Sequence, residues 1–259
     1  YAIDLASDEV VFQYKFPREA AGVGSNLNDF QVSPDGKAIF ISDQSLIAQK
    51  QALVVVDLDR EIPIARRRLR EHASVKDGGF DLHVGDRRIT LAGLLCPRYG
   101  VDGVALDATG EFLYYSALNS GELFRIRTTD LRYEKSGLLD DALAQRVEKV
   151  ADITATDGMT SDAAGHVYLT DMEHSAIVRV APDGRLDVLV QDERLRWPDG
   201  FSWGPDGYLY MTASDLHDIL PDAIVTSSEI AERAPYHIFR IQPQTACSAE
   251  QQCHGRIGH

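Results

Sequence analysis

Residues 157–180 read DGMTSDAAGHVYLTDMEHSAIVRV, and this stretch is one copy of a unit that the chain repeats. Residues 102–126 read DGVALDATGEFLYYSALNSGELFRI, and residues 199–212 read DGFSWGPDGYLYMT. A looser copy at 28–43 reads NDFQVSPDGKAIFISD. Self-similarity of this kind indicates a repeat architecture.

The spacing within each copy is nearly constant. In three copies an Asp-Gly pair precedes a turn glycine (Gly110, Gly165 or Gly207) by eight positions, and in the looser copy Asp29 precedes Gly36 by seven. The intervening runs are rich in Val, Ile, Leu, Tyr and Phe, which favour strands, and their turns favour hairpins. One such meander cannot bury both faces, whereas meanders packed around an axis can. The sequence therefore predicts an all-β fold, a β-propeller, whose innermost strands lie at 30–32, 103–106, 158–161 and 200–203.

This arrangement places the leading aspartates around the axis at one mouth of the disc. They are Asp29, Asp102, Asp157 and Asp199. Residues that follow the second strand of a copy should stand around them, namely Asp43, Asn119, Asp171, Glu173, His174, Asp215 and His217. The turn glycines should lie on the opposite face.

Carboxylates crowded into a partly dry mouth repel one another, so they need a cation, a proton or hydrogen-bond donors. A hard cation with oxygen ligands, such as Ca²⁺, meets this need, and Asp102, Asp157 and Asp199 are its candidate ligands. Alternatively, each aspartate accepts backbone N–H groups at the start of its own strand. The sequence leaves both possibilities open.

Candidate catalytic residues are Asp157, His174 and His217, because histidine titrates near neutrality and a carboxylate can activate water beside a metal. Each histidine, like Glu173, could equally be an ordinary loop residue. Trp197 is expected either in the core or on the wall of the pocket. The chain contains no G-x-S-x-G, H-E-x-x-H or P-loop pattern, so serine-triad hydrolysis has no support.

The composition and net charge of the chain argue against some classes of binding partner. The chain has 259 residues, of which 44% are hydrophobic, and a net charge of −14. This charge argues against nucleic acid and anionic membrane surfaces, which need a basic footprint. No apolar run approaches the length of a membrane span. Cys247 and Cys253 form either a small disulfide or two separate thiols, and Cys96 stands alone.

Along the chain, we expect a single propeller domain over residues 1–242 and a tail over 243–259. Residues 1–16 indicate two strands that form the outer half of an incomplete N-terminal blade. Residues 80–91 have hairpin character and are either a degenerate blade or the outer part of one. A short helix is predicted at 139–147, and an insertion at 214–235 should lie on the aspartate mouth as a lid or specificity loop.

Several segments resemble the major royal jelly protein and insect Yellow family. They are GVDGVAL, FLYYSALNS, YLTDMEHSAI and, above all, RLRWPDGFSWGPDGYLYMT at residues 194–212. The resemblance implies a six-bladed propeller that is secreted or periplasmic and binds a small organic ligand in its central pocket. Some insect members are linked to dopachrome conversion, which would be tautomerase-like chemistry. Family members commonly have an Asn after the second strand of the WPD copy, where this chain has Ser214 and Asp215, so these two are candidate ligand-binding residues.

The chain is more distantly similar to regucalcin-like gluconolactonases. That resemblance implies that Asn28 contacts substrate, and that Asp102 and Asp157 occupy metal-binding positions. The glutamate ligand of that group has no visible match here.

Three hypotheses follow. The first is a Yellow-like propeller that binds a small organic ligand, with or without a divalent cation, through Asn28, Asp29, Asn119, Asp171, Glu173, Trp197, Ser214 and Asp215. The second is a metal-dependent lactone or ester hydrolase, and the third is a protein-interaction scaffold. Whether the protein is an enzyme at all, and its oligomeric state, are left open by the sequence.

Overall fold

The computed structural model describes residues 1–45, 49–90, 93–94, 96–219, 231 and 234–243. Its strands are numbered here in chain order. A two-stranded hairpin comes first, made of β1 (Ala2–Asp4) and β2 (Glu9–Phe12). Blade 1 follows, with β3 (Leu27–Val32), β4 (Ala38–Asp43), β5 (Ala52–Asp57) and β6 (Ile64–Arg68).

A 3₁₀ turn at Ala73–Val75 leads to a second hairpin, β7 (His83–Val84) and β8 (Arg87–Arg88). Blade 2 contains β9 (Val101–Leu106), β10 (Phe112–Ala117), β11 (Glu122–Arg127) and β12 (Glu148–Asp152). Three short helices precede β12, namely α1 (Thr128–Leu131), α2 (Tyr133–Ser136) and α3 (Asp140–Ala144).

Blade 3 contains β13 (Met159–Ser161), β14 (Val167–Asp171), β15 (Ala176–Val180) and β16 (Leu186–Gln191). Blade 4 contains β17 (Pro198–Trp203), β18 (Leu209–Ala213) and, after the helix α4 (Leu216–Ile219), β19 (Ile238–Ile241). Every pairing is antiparallel between consecutive strands, as in a meander. The predicted all-β propeller is confirmed, with four blades in the described part of the chain.

The inner strands lie side by side around the axis. Strand β9 contacts β3 on one side and β13 on the other, and β13 also contacts β17. Each inner strand therefore faces the next blade, and the Asp at its start points toward a common opening. All four turn glycines, such as Gly110 and Gly165, adopt a positive φ, which explains why the repeat keeps glycine there.

The glycine that follows the leading Asp has a different role. A Cβ on Gly103 would lie 2.6 Å from the carbonyl oxygen of Asp157, and a Cβ on Gly158 would collide with the carbonyl oxygen of Asp199. At these two positions the inner strand of one blade therefore touches the backbone of the next. The Asp-Gly pair is thus explained by close packing at the axis.

The blades are held together by apolar cores between neighbouring sheets. Adjacent residues of one strand face opposite cores, because side chains alternate across a sheet. Tyr115 packs with Phe40 of blade 1, whereas Tyr114 packs with Leu169 of blade 3. Tyr168 in turn packs with Phe239 of blade 4. A blade that is covered on both faces therefore needs strands with continuous runs of apolar residues, without polar alternation.

The segment around β7 and β8 departs from the prediction that it belongs to a blade. It forms a separate hairpin, and Leu82 and Ile89 are fully buried against Leu118, Met172 and Trp197. Those three residues lie on the mouth side of blades 2, 3 and 4. Residues 77–90 are therefore a cap over the mouth, and we call this segment the cap.

Polar contacts fix the cap to the loops of the mouth. The Gly85 N–H donates to the Glu173 carbonyl at 3.1 Å, and Arg87 pairs with Asp218 at 2.8 Å. The Asn119 amide donates to the Phe80 carbonyl at 3.3 Å. The cap thus spans blades 2 to 4 and shields what lies beneath it from water.

The predicted helix at 139–147 corresponds to α3, which is shorter, while α1 and α2 were not anticipated. They pack against the arginines of β6. The buried guanidinium of Arg68 donates to the Leu131 carbonyl at 3.0 Å and to the Leu138 carbonyl at 2.6 Å, and Arg66 lies 4.7 Å above the Tyr133 ring. This basic run joins blade 1 to the helices of blade 2. Residues 244–259, including Cys247 and Cys253, lie outside the described residues, as does most of the predicted insertion at 214–235.

We expect Gly158→Ala to lower the free energy of unfolding by roughly 1–3 kcal/mol, because the added methyl must push two blades apart. Gly200→Ala is the matched control, since its Cβ would lie 3.4 Å from Thr212 Oγ1, an ordinary contact. Urea denaturation of the two variants measures the difference. Equal losses in both would contradict the proposed close approach at Gly158.

Candidate functional site

The structure brings the four leading aspartates to one opening, which we call the aspartate mouth. Asp102 and Asp157 are buried, whereas Asp29 and Asp199 are half-buried toward its outer side. The charge of Asp199 acts on both Asp29 and Asp157, which shows that the carboxyl groups share one environment. The mouth therefore has a dry inner part and a wetter outer part.

Asp102 and Asp157 form a carboxyl pair at the centre of the inner part. Their carboxyl groups interact directly, since each perturbs the pKa of the other. The Asn28 amide donates to Asp102 Oδ1, and the Gln44 amide donates to Asp102 Oδ2. The Trp197 indole N–H donates to Asp157 Oδ2 at 2.6 Å. Two buried carboxyl groups that interact this closely cannot both ionise without strong repulsion, so we infer that the pair holds one proton between them.

Electrostatics favour this protonated pair. Burial raises the pKa of Asp102 well above its ordinary value, and the charge of Asp157 raises it further. Burial also raises the pKa of Asp157 to about 7, with repulsion from Asp199 as the next cause. At the outer side, burial and then the Asp199 charge raise the pKa of Asp29 to about 6. Burial likewise raises the pKa of Asp199.

Trp197 lies in the core, as one of its two expectations had it, and its role as a pocket wall stays a prediction. It is fully buried in the core beneath the cap, and its N–H is the donor to Asp157. Its backbone has a φ of 49°, which is unusual for a bulky residue, and the Ser214 N–H donates to its carbonyl at 3.0 Å. Ser214 therefore helps to position the indole.

His217 stacks on the other side of this indole. The ring centroids of Trp197 and His217 are 6.1 Å apart and their planes differ by 4°. His217 is buried, its Nδ1 has no hydrogen-bond partner among the described residues, and burial lowers its pKa. The lowered pKa favours the neutral imidazole, and this imidazole contacts the indole that donates to Asp157. A catalytic role for His217 stays a prediction.

Gln44 and Tyr99 belong to the site although the sequence reasoning did not select them. Gln44 follows the second strand of blade 1, where the equivalent positions of blades 2 and 3 are the apolar Leu118 and Met172. A polar residue at a position that is apolar in the other two blades is the sequence feature that could have indicated Gln44 as a site residue. Tyr99 is buried, and burial followed by the charges of Asp157 and Asp102 raises the pKa of its phenol.

Other predicted residues have local partners away from the pair. Asn119 accepts from the Tyr99 N–H at 3.3 Å, and its amide holds the cap. The buried Asp171 binds the ring of the exposed His174 at 2.9 Å. Glu173 accepts from the His83 N–H at 3.3 Å. Their predicted roles toward a ligand therefore remain predictions.

Asp215 and Asp43 also have local partners. Asp215 pairs with Arg196 at 2.7 Å. Asp43 accepts from the Asn26 N–H at 2.8 Å and pairs with Arg67. Both carboxylates are thus engaged in fixing loops beside the mouth.

A cation does not fit the inner pair as it is arranged. Both oxygens of Asp102 and one oxygen of Asp157 already accept N–H groups. Within the described ranges, no three His, Cys, Asp or Glu side chains are grouped so that they could hold a metal ion. The predicted Asp102, Asp157 and Asp199 set is therefore together in space, but its charge is answered by a shared proton and by donors. Binding of Ca²⁺ there stays a prediction.

Comparison with known proteins identifies the family. The model of the family described as major royal jelly protein matches residues 1–228. The chain belongs to the major royal jelly protein family. This confirms the resemblance that the WPD segment indicates, and the aspartate mouth is therefore the central opening of a major royal jelly protein. A search of curated proteins gave no match.

Solved structures of several propellers are similar to this major royal jelly protein. A luciferin-regenerating enzyme aligns with a TM-score of 0.51 and 12% identity over 86% of this chain and 63% of that one. Regucalcin from Agrobacterium tumefaciens aligns with a TM-score of 0.49 and 15% identity over 84% of this chain and 61% of that one. A gluconolactonase from Xanthomonas campestris aligns with a TM-score of 0.47 and 16% identity over 73% of this chain and 54% of that one. The chain thus spans less than two thirds of each, and at these identities the likeness shows the fold alone.

No helix among the described residues is both long and apolar enough to cross a lipid bilayer.

The raised pKa values predict that the protein becomes less stable as pH rises. Below the ordinary value of 3.8 the Asp157 carboxyl is protonated in both states, whereas between 3.8 and about 7 only the unfolded state releases its proton readily. The free energy of unfolding should therefore fall across this window. Asp157→Asn should flatten the fall and raise the melting temperature at pH 8 by at least about 2 °C, equivalent to ~1 kcal/mol.

Thermal unfolding from pH 4.5 to 8 measures this effect. Asp152→Asn is the control, because Asp152 is largely exposed, with 86% of its side chain accessible. An unchanged pH profile in Asp157→Asn would show that the carboxyl pair does not hold the extra proton.

Proposed function

We propose that this protein binds a small organic molecule in the aspartate mouth, and that the molecule presents a cationic amine to the carboxyls. The observation that carries the proposal is the buried pair of Asp102 and Asp157 with its three side-chain donors. Buried polar networks of this kind are costly unless satisfied, and they concentrate at functional sites.

Charge favours a cationic group in the ligand. The pair keeps one negative charge, and Asp29 and Asp199 at the outer side add charge as they ionise above their raised pKa values. Nearby arginines are already paired, such as Arg196 with Asp215 and Arg87 with Asp218. An ammonium group would therefore be attracted by the carboxyls and could replace the shared proton.

The rest of the ligand would meet a shielded apolar surface. Tyr99 and the cap residue Leu82 are buried beside the Trp197 indole. Because Asp29 and Asp199 are half-buried, the outer side is the open approach to the pair. A molecule with one ring and one amine matches a site that is polar at one point and apolar around it. Family membership also supports export from the cell, where such a binder would meet its ligand.

Calorimetric titration with tryptamine and with tryptophol, its alcohol counterpart, tests the proposal at pH 7.5. We expect tryptamine to bind at least roughly tenfold more tightly, which corresponds to one charge-assisted hydrogen bond. Asp157→Asn should remove this preference, because the pair then has no shared proton that an ammonium group could replace, while the size of the side chain is kept.

Asp171→Asn is the matched control, because Asp171 is a buried carboxylate of the same blade that binds His174 rather than the pair. It should leave tryptamine binding unchanged. Equal affinity for both compounds, or equal loss in both variants, would contradict an amine site at the pair.

Metal-dependent hydrolysis of a lactone is the second candidate function. It is favoured by one observation, namely that Asn28, Asp102 and Asp157 converge as the gluconolactonase resemblance implies. If a cation were bound, its chemistry would be polarisation of a carbonyl or activation of water. The chain's own residues, however, already satisfy the pair with a shared proton and N–H donors.

We therefore expect that neither EDTA nor millimolar CaCl₂ changes the melting temperature by more than about 1 °C, which is less than ~0.5 kcal/mol for a domain of this size. Differential scanning fluorimetry measures this. A rise of several degrees with Ca²⁺, reversed by EDTA and absent in Asp157→Asn, would instead favour the metal-dependent hydrolase, and a panel of lactones would then be the next assay.

A further inference from the structure

A second cavity lies between blades 3 and 4 on the face opposite the aspartate mouth. Its volume is about 510 Å³, which suits a molecule of one or two rings. It is lined by Asp162, His166, Tyr168, Arg179, Trp203 and Tyr208, together with small residues of the two turns. We call it the blade 3–blade 4 groove. Strand β13 separates its Asp162 end from Asp157 by five residues, or about 17 Å of extended chain.

We propose that the blade 3–blade 4 groove is a second ligand site, which takes a small aromatic carboxylate. This site is independent of the aspartate mouth and of the function proposed for it.

One wall of the groove is a rigid aromatic surface. The ring of Trp203 meets that of Tyr168 edge to face, with centroids 5.4 Å apart, and its indole N–H donates to the Ser161 carbonyl at 2.9 Å. The His166 ring in turn meets Tyr168 with centroids 6.4 Å apart. Trp203 is nevertheless 37% exposed. A fixed aromatic side chain with an exposed surface can stack on a ligand ring at little entropic cost.

The acidic residues of this groove already accept hydrogen bonds from their neighbours. Asp162 accepts from the His166 ring at 2.9 Å and from the Tyr168 hydroxyl at 2.8 Å, and also from two backbone N–H groups. Asp206 accepts from the Tyr210 hydroxyl at 2.8 Å. These carboxylates are thus fixed structural acceptors and offer little to a cationic ligand.

Arg179, by contrast, has donors to spare. Its Nη2 pairs with Asp187 at 3.2 Å, but Asp187 is also the partner of Arg185, so two guanidiniums share one carboxylate. The side chain of Arg179 is 13% exposed, and its Nε has no hydrogen-bond partner in the described part of the chain. An arginine with an unpartnered N–H is suited to a carboxylate, to which it can donate a charge-assisted hydrogen bond.

The two features together define the ligand class. A planar ring would stack on the exposed surface of Trp203, which Tyr168 supports from below, while its carboxylate would reach the Arg179 guanidinium. This chemistry is opposite to that of the aspartate mouth, where the side chains that converge are acids. The same ring system carrying different charges can therefore tell the two sites apart.

Calorimetric titration of the chain with indole-3-acetate and with tryptophol tests the proposal. We expect the acid to bind at least roughly tenfold more tightly than the alcohol, as a charge-assisted hydrogen bond predicts. Arg179→Gln should remove this preference and leave tryptophol binding unchanged. Trp203→Leu should weaken both compounds, because both stack on the same ring.

Arg185→Gln is the matched control, since Arg185 shares Asp187 but does not line the groove, and 61% of its side chain is exposed. It should leave both affinities unchanged. Should Arg179→Gln fail to fold, Arg179→Lys keeps the charge without the fork and should lose most of the preference.

Three results would overturn the proposal. They are the absence of indole-3-acetate binding at millimolar concentration, equal affinity for the acid and the alcohol, and loss of indole-3-acetate binding in Arg185→Gln to the same extent as in Arg179→Gln.

Discussion

The close approach of neighbouring inner strands at the axis is the contact on which the rest of the structure depends. At Gly103 and Gly158 the backbone of one blade fills the space that a side chain would need. Because the strands touch there, the aspartates that precede these glycines are brought together as well. Packing at the axis and convergence of the acids are thus two consequences of the same Asp-Gly pair.

Convergence alone would leave a cluster of carboxylates that repel one another in water. The cap changes this situation because it buries the inner carboxyl groups. Leu82 and Ile89 cover the mouth together with Trp197, so water is excluded from the inner carboxyls. Burial is accordingly the largest cause of the raised pKa of both Asp102 and Asp157. The protein answers this cost with a shared proton and three N–H donors from separate segments, which also joins blade 1 to blade 4 through the site.

The two faces of the disc differ in chemistry because the two ends of each inner strand carry different residues. On the mouth side, each inner strand begins with an Asp whose side chain points to the axis. On the other side, the turn carboxylates such as Asp162 fold back onto their own backbone, and Arg179, whose Nη2 pairs with Asp187, lines the groove. One repeat therefore builds an acidic opening on one face and an aromatic groove lined by an arginine on the other.

The sequence by itself determined the repeat, the propeller, the inner strands and the family, since these depend on local spacing and on strand and turn preferences. It also identified Asp102, Asp157 and Trp197, because Asp-Gly and WPD are contiguous motifs. Only the tertiary structure decided what these residues contact. Gln44 reaches Asp102 across 58 positions and the cap crosses three blades, so neither contact leaves a local pattern in the chain. The protonation of the pair likewise depends on burial, which is a property of the packed molecule and not of the residues alone.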